Sequence, residues 1–125
     1  MVIMDNIKKT NNTELSFSRL LTVNSTYSSE QSVNADVELE VTSFNKLSGE
    51  FSAITGVTGY YPSTFSGLIT AWKEDGNSSY IFLSDTNVKK IFDLDISEFV
   101  KIKFSASCKS DNYRGYVSFN NIILS

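Results

Sequence analysis

The chain of 125 residues contains no histidine and a single cysteine, Cys108. Histidine is the usual general base near neutral pH and the commonest zinc ligand, so its absence removes most familiar catalytic and zinc-binding arrangements. One cysteine forms no disulfide within the chain, and without histidine it lacks the usual base that would activate it as a nucleophile. We therefore expect a protein that works by binding, with no catalytic residues, no metal site and no cofactor.

Basic charge and long apolar runs are also scarce. Lys and Arg together number 11 against 14 for Asp and Glu, giving a net charge of −3, whereas general nucleic-acid binders carry a basic excess, so we expect no nucleic-acid partner. No run approaches the ~20 apolar residues of a membrane helix, so we expect no membrane insertion. Asp5 interrupts the N-terminal apolar residues, and Lys8 and Lys9 follow them, which is not the order of a secretory signal. These features favour a cytoplasmic location.

The apolar residues that are present alternate with polar ones, as they do in β-strands. Hydrophobic residues make up 41% of the chain and aromatic residues 13%, which is enough for one core. The alternation is clearest over residues 33–41, whose intervening positions are largely acidic, and over 101–108, whose intervening positions begin with two lysines. If these two strands were neighbours, their outer charges would pair. We expect a single domain over residues 13–125, preceded by residues 1–12 as a lead segment or arm that forms a first strand, a short helix or no fixed structure.

Turn signals divide the remaining sequence into further strands. Asp75-Gly76 predicts a two-residue type I′ turn between strands 65–73 and 78–84, which places Ala71 opposite Tyr80 and Trp72 opposite Ser79. Both faces of this hairpin carry apolar groups, so we expect it to be central in its sheet or covered on both sides. A second hairpin is expected between 101–109 and 116–124, and shorter strands at 14–23 and 49–54. Residues 92–99 fit either an edge strand or one helical turn.

About seven to nine strands at spacings of roughly 8–12 residues predict an all-β fold, an antiparallel β-sandwich of jelly-roll type. The alternation predicts that Val33, Val37, Val41, Phe82, Ile102 and Phe104 are buried. It also predicts exposed side chains at Asp36, Glu38, Lys101 and Lys103, and a buried, unreactive Cys108.

Aromatic residues beside planar polar groups are the candidate binding residues. A sugar presents a C–H face that stacks on an aromatic ring, while amides, carboxylates and guanidinium groups bind its hydroxyls. The same aromatic residues would also suit the ends of a sandwich core or a subunit interface, and the strand position of Trp72 favours packing. We predict ligand contacts from the loops 56–64, 73–78 and 109–115, through Tyr60, Tyr61, Trp72, Asp75, Asn77, Asp111, Asn112, Tyr113 and Arg114.

Acidic residues support two other interpretations. The acidic face of Asp36, Glu38 and Glu40 suits an inhibitor or structural protein that binds a basic protein partner. A carboxylate pair, Glu74 with Asp75 or Asp93 with Asp95, is the minimum for a glycoside hydrolase. Residues 93–98 also alternate oxygen ligands as a calcium loop does, but they lack the glycine of its sharp turn, so a strand or turn is the better interpretation.

A resemblance to a known family rests on residues 57–72, which contain Gly59-Tyr60-Tyr61-Pro62 and end in the apolar strand that leads to Trp72. A polar turn, an aromatic strand at 79–83 and a closing strand pair at 100–108 and 116–124 follow. This order resembles the C-terminal head regions of tail and baseplate proteins from phages of Gram-positive bacteria, over residues 50–124. The resemblance implies a small β-sandwich on the virion tail, commonly a homotrimer, that binds cell-surface saccharide. Residues 1–49 depart from it, because they contain no coiled-coil heptad or collagen-like repeat.

Overall fold

A computed structural model describes residues 2–3, 8–11, 14–25, 31–55, 64–84, 88–110 and 115–125. No helix occurs among them, and hence none that is long and apolar enough to cross a membrane. The described residues form ten strands: β1 Val2–Ile3, β2 Lys8–Asn11, β3 Glu14–Ser25, β4 Gln31–Glu40, β5 Lys46–Thr55, β6 Thr64–Trp72, β7 Ser78–Ser84, β8 Val88–Asp95, β9 Lys101–Ser110 and β10 Gly115–Leu124.

The strands form two antiparallel sheets in a jelly-roll sandwich, as the sequence predicts. The six-stranded sheet has the order β1-β3-β10-β5-β8, with β2 also paired to β3, and the four-stranded sheet has the order β4-β9-β6-β7. The pairs are nested along the chain: β3 with β10, β4 with β9, β5 with β8 and β6 with β7. This nesting winds one long ribbon of strands into two packed sheets. The segment 1–12, expected to be a lead or arm, contributes β1 and β2, which both pair with β3.

The expected hairpin between 101–109 and 116–124 is wrong. Both strands exist, but β9 pairs with β4 and β6, whereas β10 pairs with β3 and β5 in the opposite sheet. The nested winding explains the difference, because it sends β9 and β10, although consecutive in sequence, to opposite sheets. Alternation marks each strand but does not identify its partner.

The core lies between the inner faces of the sheets and is rich in phenylalanine. The ring of Phe119 lies 5.3 Å from that of Phe104 and 5.1 Å from that of Phe51, measured between centroids. Of the residues predicted to be buried, the central or strand-end ones are confirmed: Val41, Ile102, Phe104 and Cys108. Val33, Val37 and Phe82 are only half-buried, because β4 and β7 are the edges of their sheet.

Strands β4 and β9 are neighbours, so their outer charges do stand opposite each other. Glu38 is in register with Lys103, and Glu40 with Lys101. Asp36 and Glu38 are exposed as predicted, whereas Lys101 and Lys103 are half-buried. The lysines lose exposure because β9 is flanked on its other side by β6.

The β6–β7 hairpin has the predicted strands but a different turn. Gly76 alone in this turn has a positive φ, of 90°, and its N–H donates to the Lys73 carbonyl at 3.0 Å. A type I′ turn needs positive φ at both central residues, so the connection is instead a three-residue loop, Glu74 to Gly76, with the glycine in the left-handed position. The longer loop moves the pairs near the turn by one residue, so Ala71 faces Ser79 and Trp72 faces Ser78.

A bulge at Ile81 shifts the pairing back by one residue. Beyond it the strands have the register that a two-residue turn predicts, in which Ile69 faces Phe82 and Leu68 faces Leu83. Between the turn and this bulge, Tyr80 pairs with Thr70 and not with Ala71. A shift of one residue transfers a side chain to the other face of a sheet. Tyr80 therefore lies on the outer face. The expectation that this hairpin is central or covered on both sides holds for β6, which lies between β9 and β7. It is wrong for β7, which is an edge strand and in which Leu83 is 67% exposed.

Residues 92–99 combine an edge strand with a turn. Strand β8 ends at Asp95, and the N–H of Phe99 donates to the carbonyl of Ile96 at 3.0 Å. Ile96 and Phe99 are buried. The apolar residues of this segment thus belong to the core, as expected for a strand and turn.

Candidate functional site

The outer face of the four-stranded sheet brings charged and aromatic side chains together near one end of the sandwich. Its register aligns two rows across the strands, Glu40, Lys101, Trp72 and Ser78 in the first, and Glu38, Lys103, Thr70 and Tyr80 in the second. This face is acidic at β4, basic at β9 and aromatic at β6 and β7. The Trp72 patch is defined here as Trp72, Tyr80, Lys101 and Lys103.

Trp72 is the last residue of β6, and its backbone is held in place at the start of β9. Its carbonyl accepts a hydrogen bond from the Val100 N–H at 2.8 Å. The indole is half-buried. Lys101 Nζ lies 4.6 Å and Lys103 Nζ 5.6 Å from the ring centroid, which is within cation–π range. Trp72 therefore has both a packing role and an outward surface on the candidate site.

Tyr80 is a residue of the candidate site that the sequence interpretation missed. Its side chain is 75% exposed, one row from Trp72. The assumption of a two-residue turn placed it on the inner face with Ala71. The signal that would have found it is Glu74-Asp75-Gly76, since a glycine at the third loop position also fits a three-residue hairpin loop.

Asp75 and Asn77 lie in the exposed turn beside the Trp72 patch. Asp75 Oδ1 accepts the Asn77 N–H, and Asp75 Oδ2 accepts from Asn77 Nδ2, both at 2.9 Å. Lys73 forms an ion pair with Glu98 at 3.4 Å, linking this turn to the one that precedes β9. Both predicted residues are thus near Trp72, but their polar groups are partly used to shape the turn.

The other six predicted residues lie outside the described residues: Tyr60, Tyr61, Asp111, Asn112, Tyr113 and Arg114. The strand ends that flank these segments are described. Thr64 pairs with Lys109, and Gly115 pairs with Thr55, at the end of β6 opposite Trp72. A strand rises about 3.3 Å per residue, so the length of β6 separates those strand ends from Trp72 by roughly 25 Å. The described strand ends that flank loops 56–64 and 109–115 therefore lie far from Trp72 and the turn 73–78.

A shallow groove of about 470 Å³ lies near the end of β8, lined by Asn45, Lys46, Asp93, Leu94, Asp95 and Ser97. The hydroxyl and backbone N–H of Ser97 donate to Asp95 Oδ1 at 2.7 and 2.9 Å, and these hydrogen bonds hold the pKa of Asp95 below its ordinary value. Within the described ranges, no group of three or more acidic or cysteine side chains is arranged to hold a metal ion.

The outer face of the six-stranded sheet is different. Thr22, Ser118 and Ser52 form one row across β3, β10 and β5, and all three are nearly covered. Thr22 Oγ1 and Ser118 Oγ lie 3.2 Å apart, within hydrogen-bond distance. The larger exposed groups there are Ile91 and, at 37% exposure, Tyr116.

No protein-family model and no curated protein matches this chain. Among solved structures, it is similar to the carbohydrate-binding module TmCBM61, determined in complex with β-1,4-galactotriose. The match has a TM-score of 0.50 at 12% sequence identity, and it covers 96% of this chain and 86% of that module. At this identity the likeness supports the β-sandwich fold.

Proposed function

We propose that this chain is a non-catalytic saccharide-binding module and that the Trp72 patch contacts the sugar. The observation that carries the proposal is the exposure of Tyr80, 75%, one row from Trp72 on the face of a sheet. Aromatic rings held on strands offer a preformed surface for the C–H face of a pyranose. The lysine amines and the exposed Asn77 amide are nearby groups of the kind that bind hydroxyls.

The likeness to a carbohydrate-binding module supports the proposal at the level of fold, since it shows that this architecture can carry a saccharide site. Fold alone does not decide function, so the proposal depends on the side chains of the outer face.

A glycan array tests the proposal. We expect the purified chain to bind a restricted set of glycans, Tyr80→Ala to lose that binding, and Tyr116→Ala to retain it. Tyr116 is the matched control because it is also a partly exposed tyrosine, on the outer face of the other sheet. An array with no bound glycan would reject the proposal.

We also propose that the ligand is a saccharide on the surface of a Gram-positive cell and that the chain is a receptor-binding head of a phage tail, acting as a homotrimer on the virion. This rests on the resemblance of residues 50–124. Labelled protein should then bind Gram-positive cells, compete with phage adsorption and have three times the monomer mass in solution. Glycan binding without cell binding would reject the phage role and leave the saccharide role.

A second candidate function follows from the acidic edge strand β4. Asp36, Glu38 and Glu40 are all exposed on its outer face, which suits contact with a basic protein. Such a contact would weaken strongly as salt rises, whereas stacking on a neutral sugar would change little. Binding measured at low and high salt separates the two functions.

A further inference from the structure

The lysines of the Trp72 patch are arranged in a way that bears on which saccharide it binds. Glu38 and Glu40 stand opposite Lys103 and Lys101 in the register. Within the described ranges, however, neither lysine forms an ion pair, and both ammonium groups lie near the Trp72 indole, 4.6 and 5.6 Å from its centroid. The positive charge is thus displaced away from β4 and toward the aromatic part of the face.

We propose that the Trp72 patch selects polysaccharides whose pyranose rings carry carboxylates, an inference that rests on the proposed saccharide-binding function. A neutral sugar that stacks on the indole competes with the two ammonium groups for the ring and offers them only hydroxyls. A uronic acid offers one carboxylate, whose two oxygens can accept hydrogen bonds from both ammonium groups. Charge-assisted hydrogen bonds are stronger than neutral ones, so the anionic sugar gains where the neutral one does not.

The position of the charges favours a carboxylate bonded directly to the sugar ring. Both ammonium groups lie close to the indole, so an anion must stay beside the stacked ring to reach them. A uronate meets this condition, whereas a phosphodiester between sugar units lies farther from the ring. The glutamates of β4 are two strands away from β6, about 10 Å at the usual spacing of ~4.8 Å, so they favour a ligand whose carboxylate faces β6 and β7.

The test compares each uronate polymer with its ester, which lacks the carboxylate charge, and adds a neutral and a phosphate-bearing polymer. Isothermal titration calorimetry is run with polygalacturonate and alginate, with the esterified form of each, and with neutral galactan and a wall teichoic acid. We expect the uronate polymers to bind at least about tenfold more tightly than their esters, the factor that one charge-assisted hydrogen bond supplies.

Two double lysine variants test which lysines produce the preference for uronates. The double variant Lys101→Gln/Lys103→Gln is compared with Lys89→Gln/Lys90→Gln, which removes the same charge from exposed positions of β8 in the other sheet. We expect the first to lose most of the uronate preference and the second to keep it. Thermal melting of both variants checks folding, and the polymer comparison on the unaltered chain remains decisive if either fails to fold.

The other possible results would reject different parts of the proposal. Equal binding of uronates and their esters, or tight binding of galactan alone, would overturn the carboxylate selectivity and leave the proposed function intact. Preference for the teichoic acid would overturn the choice of a carboxylate in favour of phosphate. If no polysaccharide bound, both the selectivity and the proposed function would be rejected.

Discussion

On the outer face of the six-stranded sheet, Thr22, Ser118 and Ser52 form a covered row of small hydroxyl side chains, two of which lie within hydrogen-bond distance of each other. On the outer face of the four-stranded sheet, Tyr80 is 75% exposed and two ammonium groups lie beside an indole. On the first face these hydroxyls are covered, and the larger exposed groups are Ile91 and Tyr116. The second face presents large aromatic and charged side chains on an antiparallel sheet of the same kind. The difference favours the four-stranded sheet as the location of the proposed site.

The largest effect is expected at Phe104, on the inner side of the strand that carries Lys101 and Lys103. Phe104 is fully buried and its ring lies 5.3 Å from that of Phe119. Phe104→Ala should lower the free energy of unfolding by about 3–5 kcal/mol, the usual range for a buried aromatic residue cut to alanine. Urea denaturation measures this value. A loss below about 1 kcal/mol would show that the two faces of β9 are assigned incorrectly.

A large effect on binding is expected from Trp72. Trp72→Ala removes the ring surface and the partner of both lysines, so saccharide affinity should fall at least about tenfold, which corresponds to ~1.4 kcal/mol. Stability should fall less than in Phe104→Ala because Trp72 is only half-buried. Calorimetric titration measures the affinity, and Trp72→Phe is the control that keeps an aromatic face. If Trp72→Ala bound the saccharide as tightly as the unaltered chain, the Trp72 patch would not be the binding site.

The contrast between the two faces also shows where sequence reasoning succeeds. Alternation at 33–41 and 101–108 locates β4 and β9, and the jelly-roll class follows from the number and spacing of strands. Strand partners and the turn at Asp75-Gly76 are less accessible, because the same residues fit both a two-residue and a three-residue hairpin loop. That one-residue difference decides whether Tyr80 is in the core or on the surface. A pattern of period two therefore identifies the strands and the fold class, but neither the strand partners nor the site.

A smaller effect is expected in the covered hydroxyl row. Ser118→Ala removes a hydroxyl within hydrogen-bond distance of Thr22, so stability should fall by about 0.5–1.5 kcal/mol, while saccharide affinity stays unchanged. Thermal melting and calorimetric titration of the same sample check both statements. If Ser118→Ala weakened binding as much as Trp72→Ala, the six-stranded sheet would take part in the site and the comparison would fail.

The smallest effect is expected at the turn before β9. Ser97→Ala removes the hydroxyl that donates to Asp95, so the pKa of Asp95 should rise toward its ordinary value. Because folding lowers this pKa, its contribution to stability is present above the ordinary value near 3.8 and is lost as pH falls through the folded value. A pH titration of the Asp95 carboxyl carbon signal by NMR, in the unaltered chain and in the variant, measures the difference in pKa. An unchanged pKa would show that the backbone N–H of Ser97 is sufficient.

The most direct test of the binding face is an NMR titration of the isotope-labelled chain with an oligosaccharide identified on the glycan array. We expect the amide signals of Thr70, Trp72, Tyr80 and Lys101 to shift with a common dissociation constant, while those of Thr22, Ser52 and Ser118 stay in place. Shifts confined to the segments of Tyr60, Tyr61 and Tyr113 would move the site to the loops that the sequence alone suggests. That result would contradict the assignment of binding to the four-stranded sheet.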